Sequence, residues 1–290
     1  MISGHSFSRE IPLWKWILAI VGGSFLFMFL YGISQLVMAI HGYQWLKIAL
    51  YAAGACMLTV NYILVVGNTE GRKTDELSLC NALSWTGKGI LAGATFFVVI
   101  AGLLTVAGMY HVKEVRFDAV GMLESLMMFL TVGIGEELVF RGFIFRLIAE
   151  RWNVAIALTI SSLLFGFVHL SNEDATIWSS IAIAIEAGLV LGAAYAVSGN
   201  LWFPIGIHWA WNYTQGVIFG FDVSGMPTDC RLLNSYVTGP DILTGGDFGP
   251  EASVLSVILG LALSGWFIWK YRGTAERQSP VNTDRTSDSI

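Results

Sequence analysis

Apolar residues run in long blocks along this chain, and short clusters of charge separate them. A helix needs about 20 predominantly apolar residues to cross a bilayer. No residue between Lys15 and Lys47 is charged, so a first span is predicted at 14–40. A second follows at 45–66, before a polar loop at 68–75 that carries Arg72 and Lys73. The third lies at 89–109 and leads into a charged loop at 111–118. The fourth, 120–150, is longer than a bilayer requires, and its end, with Arg146, Glu150 and Arg151, is expected to project into water. Spans five, six and seven fall at 154–170, 177–197 and 201–221, the last two joined by the tight turn Ser198, Gly199, Asn200. A polar loop rich in Gly and Asp, 222–251, precedes the eighth span at 254–269. The pattern predicts an all-α fold, a polytopic membrane helix bundle of about eight transmembrane helices.

Composition sharpens this picture. Of 290 residues, 55% are hydrophobic and only 13% charged, against about 25% charged in a soluble domain. Arg9 and Lys15 precede the first apolar run, which has no small-residue cleavage site and exceeds a signal-peptide core, so it reads as a retained span. The net charge of −5 is spread over loops and no basic stripe exists, which leaves nucleic-acid binding without support. The expected partners are membrane lipid and a peptide or protein substrate. Cys56, Cys80 and Cys230 match no zinc or redox spacing. With eight spans both termini share one side. Eleven Lys and Arg then lie on that side and four on the other, with Arg141 set aside as intramembrane. The positive-inside bias puts both termini in the cytoplasm and loop 222–251 outside; in a bacterium the membrane is the plasma (inner) membrane.

Ionisable residues at bilayer depth are expensive and mark function by default. Spans four to seven carry Glu124, Glu136, Glu137, Arg141, His169, Glu186 and His208, whereas the cores of the other spans carry none. Glu137 and Arg141 are four apart and share a helical face, so they can neutralise each other as a structural brace. Glu136 is turned about 100° away and is left without a local partner. His208 and Asn212 are four apart, again on one face. The economical arrangement is a polar cavity lined by Glu136, His169, His208 and Asn212. A carboxylate, two imidazoles and an amide suffice to activate water and hold an oxyanion. Glu186 fits no motif; it is expected to pair with Arg141 or to stay protonated.

Three motifs carry a resemblance. Glu136, Glu137 and Arg141 resemble the EExxxR motif of the CPBP family, also called Abi or CAAX-protease-like. Phe165 to His169 is similar to its FxxxH motif, and His208 to Asn212 to its HxxxN/D motif. The resemblance covers about 120–220 and divides the chain into N-terminal helices (1–119), a catalytic helical core (120–221), a loop with the last helix (222–273) and a disordered polar tail (274–290). It implies an intramembrane endopeptidase in which Glu136 activates water with His169, while His208 and Asn212 bind the oxyanion. The substrate class it implies is CAAX-type processing, peptide maturation or bacteriocin self-immunity. No cofactor is expected. Zinc is the alternative, because Glu136, His169 and His208 could form a three-ligand site with an open position; Asn212 is a poor ligand for it. No HExxH, Gly-x-Ser-Gly or intramembrane GxGD is present, which disfavours other intramembrane protease types. A non-enzymatic immunity or scaffold protein is the second reading. A proton-coupled transporter is the third, and it lacks the internal repeats such proteins show.

Overall fold

The structure is a computed structural model and describes residues 11–278. Eight long helices follow one another among the described residues: α1 (Leu13–Gln35), α2 (Gln44–Glu70), α3 (Ala82–Val106), α4 (Ala119–Arg151), α5 (Val154–Val168), α6 (Ile177–Ser198), α7 (Trp202–Tyr213) and α8 (Val254–Gln278). The all-α bundle expected from the hydrophobic pattern is present, and the chain is an integral, multi-pass membrane protein. Seven of the helices are long and apolar enough to cross a membrane. The other, α7, has twelve α-helical residues continued by five of π-helix, Thr214–Ile218. Its ends are nonetheless tied to opposite faces. The Leu201 N–H donates to Glu76 O at 2.8 Å, and Tyr110 Oη donates to Phe219 O at 2.7 Å.

Loop contacts follow the same alternation. On one face Arg146 reaches Glu70 (2.6 Å) and Arg151 reaches Ile11 O (3.2 Å). On the other, Lys47 pairs with Glu124 and Asn172 Nδ2 donates to Ser224 O at 2.9 Å. That second face also carries a small sheet. Strand β1 (Tyr110–Val115) pairs antiparallel with β2 (Leu233–Val237), with an irregularity between Val112 and Glu114. The 222–251 segment, expected as a loop, is therefore ordered against the bundle, and a single helical turn, Asp241–Thr244, adds to it.

Local chemistry sets the helix ends. Asp118 accepts from the N–H groups of Val120 and Gly121 and starts α4; Asn153 accepts from Ile156 N–H and starts α5. Thr176 and Ser179 form a reciprocal capping box at α6, which stops at Gly199 in the left-handed conformation. Close approach then positions α7. A Cβ on Gly93 of α3 would lie 2.2 Å from Ile207 O, so only glycine lets the α3 and α7 backbones meet there. Trp211 stacks on Phe96 at 3.9 Å along the same seam. Outward-facing residues of α1, among them Trp14, Leu18, Val21 and Phe25, are exposed apolar side chains for lipid to cover.

Two expectations are corrected. Arg146 does not project into water; it is 2% exposed. Its guanidinium lies between Glu70 (2.6 Å) and Glu150 (2.7 Å), and Arg72 joins the same network through Glu70 and Glu76. A buried charge at a span end is tolerable only when it is paired in this way. The polar tail expected to be disordered from 274 is helical as far as Gln278, because α8 carries its last turns beyond the apolar block. Residues 279–290, where disorder was also expected, lie outside the described residues.

Candidate active site

The Glu136–Glu137 pair sits where α4 changes its winding. Regular α-helix ends at Glu137, and Leu138–Phe145 is π-helical. The wider turn frees carbonyls from the regular ladder, and such insertions recur at functional sites. Side chains take up the freed oxygens. Gly142 O accepts from Tyr62 Oη (3.1 Å) and Arg146 Nε (2.9 Å). Gly188 O, at the end of a second π-segment (Ala184–Gly188) in α6, accepts from Arg141 Nη2 at 3.0 Å. The Glu137–Arg141 contact has the geometry of the expected brace: both side chains are fully buried and Nη1 meets Oε1 at 2.8 Å. Arg141 also lies over the Phe165 ring at 4.6 Å. Glu186 does not pair with Arg141, which is already committed to Glu137 and Gly188; both Glu186 oxygens are buried without a hydrogen-bond partner.

Glu137 has a second contact that its spacing did not reveal. Its Oε1 is 3.0 Å from His208 Nδ1. A carboxylate only accepts here, so Nδ1 carries the proton and donates. The other ring nitrogen, Nε2, faces Glu136 Oε2 at 3.9 Å. That gap is too long for a direct hydrogen bond. Glu136 finds its hydrogen-bond partner on a distant helix rather than on its own. Tyr31 Oη from α1 donates to its Oε1 at 3.3 Å, while Oε2 has no hydrogen-bond partner.

His169 stands in a 3-10 turn just past α5. Its Nδ1 lies 2.7 Å from Phe165 O, so that nitrogen must donate and Nε2 is left to the cavity. On the predicted spans, His169 and His208 sit at different depths. In the structure both nonetheless line one cavity. Phe165 lies beside both imidazoles, 4.9 Å from the His169 ring and 6.0 Å from the His208 ring.

Glu136, His169, His208 and Asn212 all line one cavity of about 520 Å³. It extends past apolar side chains such as Met128, Val132 and Ile183 to Lys47, Glu124 and Asp229 on the face that carries the sheet. Glu137 and Arg141 lie behind its wall. Among the described residues no group of three His, Cys, Asp or Glu side chains is placed to hold a metal ion. Tyr31, Asn172, Ser224 and Glu251 line the cavity too and escaped the sequence reading. Only the position of Glu251 at the edge of the last span hinted at it.

These residues can be set against known proteins. A family model described as Type II CAAX prenyl endopeptidase Rce1-like matches residues 118–214. Glu136, Glu137, Arg141, His169, His208 and Asn212 all lie inside that match. Residues 118–214 are therefore similar to a CAAX-protease-like (CPBP) core. The chain is also similar to the "Putative membrane peptidase YdiL" of Bacillus subtilis (strain 168), at 26% identity over 162 residues. That alignment takes in 53% of this chain and 64% of the relative. No solved structure matches the chain. The match ends at residue 214, just past α7, so Ser224 and Glu251 reach the cavity from beyond the matched region.

Proposed function

We propose that the protein is an intramembrane endopeptidase that hydrolyses a peptide bond with a water activated by Glu136. The observation that carries this reading is the convergence of Glu136, His169, His208 and Asn212 on one cavity inside a CPBP core. Glu136 Oε2 has no hydrogen-bond partner and faces His208 Nε2 across 3.9 Å, which leaves that oxygen free to accept the proton of the attacking water. Glu136 takes the proton as the water oxygen bonds to the carbonyl carbon. The oxyanion is held by Asn212 and by His208, which donates from Nε2 when both ring nitrogens are protonated; Glu137 then carries the counter-charge. His169 Nε2 helps to hold the water. The C–N bond breaks as Glu136 returns its proton to the leaving amine, giving a carboxylic acid and an amine from peptide and water. On the charge-bias orientation the cavity opens to the external side, and the substrate enters from there. Peptide maturation or bacteriocin self-immunity suits that direction of entry.

Replacing Glu136 by Gln tests the reading, since it keeps shape and removes the base. Peptide cleavage by purified protein in vesicles should fall by about 100-fold or more, the scale of general-base catalysis, with thermal unfolding unchanged. Full biological activity in Glu136→Gln would refute the peptidase reading and favour a scaffold or immunity protein.

A further inference from the structure

The wall of the cavity nearest His169 is built from two segments that meet at a tight turn. Val223 and Met226 bond each other through both backbone pairs at 2.9 Å. The residues between them, Ser224 (φ 51°) and Gly225 (φ 80°), are both left-handed, as in a type I′ turn. A serine pays for that conformation unless something holds it. Here its N–H (2.6 Å) and its Oγ (3.0 Å) converge on Glu251 Oε2. Gly225 is required because a Cβ there would lie 1.9 Å from Glu173 O; the tip of the turn presses on the loop after His169. On its other side, Ser224 O accepts from Asn172 Nδ2 at 2.9 Å, and Asn172 N–H donates to His169 O at 3.1 Å. Glu251 is 3% exposed. Trp178 Nε1, donating to Ala252 O at 2.7 Å, pins the Glu251 turn to α6. Burial pushes the Glu251 carboxyl above the usual carboxylate range, while donors on Gln215 and Ser224, and the nearby His169, pull it back.

We propose that Glu251 is a positioning residue of this site, which through Ser224 and Asn172 fixes the turn that carries His169. The inference rests on the peptidase reading for its effect on rate, but the clamp itself can be measured without catalysis. By it, the segment beyond the CPBP core completes the site rather than merely linking α7 to α8.

The test compares full-length Glu251→Ala, Glu251→Gln, Asn172→Ala and the Glu251→Ala/Asn172→Ala double variant in vesicles. Misplacing a catalytic group by about 1 Å can cost up to about 100-fold. Glu251→Ala should lower kcat by about 10- to 100-fold with KM within about two-fold. Glu251→Gln keeps a carbonyl acceptor for Ser224 and should recover most of kcat. The double variant should be no slower than the slower single one, because both changes break one chain of contacts. Amide hydrogen exchange at 169–174 should rise in Glu251→Ala and Asn172→Ala and not in Glu251→Gln. Unchanged kcat together with unchanged exchange in Glu251→Ala overturns the clamp, as does equal loss in Glu251→Gln. Fully additive losses in the double variant overturn it too. Should Glu251→Ala fail to fold, Asn172→Ala alone must show the kcat loss and the faster exchange, and its failure to do so overturns the proposal. If the wild type cleaves nothing, the peptidase reading fails while the exchange measurement still decides the clamp.

Discussion

Replacing Arg141 by Ala removes a fully buried guanidinium with three attachments: Glu137 Oε1 at 2.8 Å, Gly188 O at 3.0 Å and the Phe165 ring at 4.6 Å. Each loss has a known scale. Leaving one member of a buried ion pair without its partner costs about 3–5 kcal/mol. An unsatisfied buried carbonyl costs about 1–3 kcal/mol, and a desolvated cation–π contact contributes about 2 kcal/mol. These terms share one side chain and do not add. Glu137 also keeps the His208 Nδ1 donor at 3.0 Å, which holds the total near the ion-pair figure, about 3–5 kcal/mol. Glu137→Gln in the same background removes the stranded charge, so the double variant should regain about 1–2 kcal/mol over Arg141→Ala, within the range of direct couplings. Reversible unfolding in mixed micelles, with peptide cleavage followed in parallel, measures both. An Arg141→Ala protein that unfolds within about 0.5 kcal/mol of wild type and loses only turnover would refute the brace and put Arg141 on the substrate.

Three more outcomes are expected. A chelator should leave cleavage intact, because the mechanism runs on Glu136; loss of activity with rescue by zinc would establish the metal-dependent alternative. Gly93→Ala should destabilise the protein by about 1–3 kcal/mol, the usual cost of overpacking, since its Cβ would meet Ile207 O at 2.2 Å; unfolding indistinguishable from wild type would show that α3 and α7 can separate cheaply. In intact cells, with Cys56 and Cys230 replaced by Ser, an impermeant maleimide should label Ile242→Cys, exposed on the sheet-bearing face, and spare exposed Cys80 on the other; the reverse pattern would invert the orientation.

Much of this protein is written in its order of residues. Blocks of apolar residues long enough to cross a bilayer have one economical solution, a helix that satisfies its own backbone, so the bundle and most of its span limits are legible locally. Charges inside such blocks are conspicuous because each is costly, which is why Glu136, Glu137, Arg141, His169 and His208 stand out, and why the i, i+4 pairing of Glu137 with Arg141 can be read without coordinates. Other features depend on contacts between distant segments. Neither the hydrogen bond from Tyr31 to Glu136, 105 residues apart, nor that between Glu137 and His208, 71 apart, leaves a periodic trace. The inward turn of Arg146 rests on Glu70, 76 residues away. The β1–β2 pairing joins two short segments that lie on either side of the matched region 118–214, and the Glu251–Ser224–Asn172 chain uses residues that look like ordinary loop polarity. Spacing along a helix reports which side chains share a face. Which faces meet, and which loop closes over them, is decided only when the helices pack.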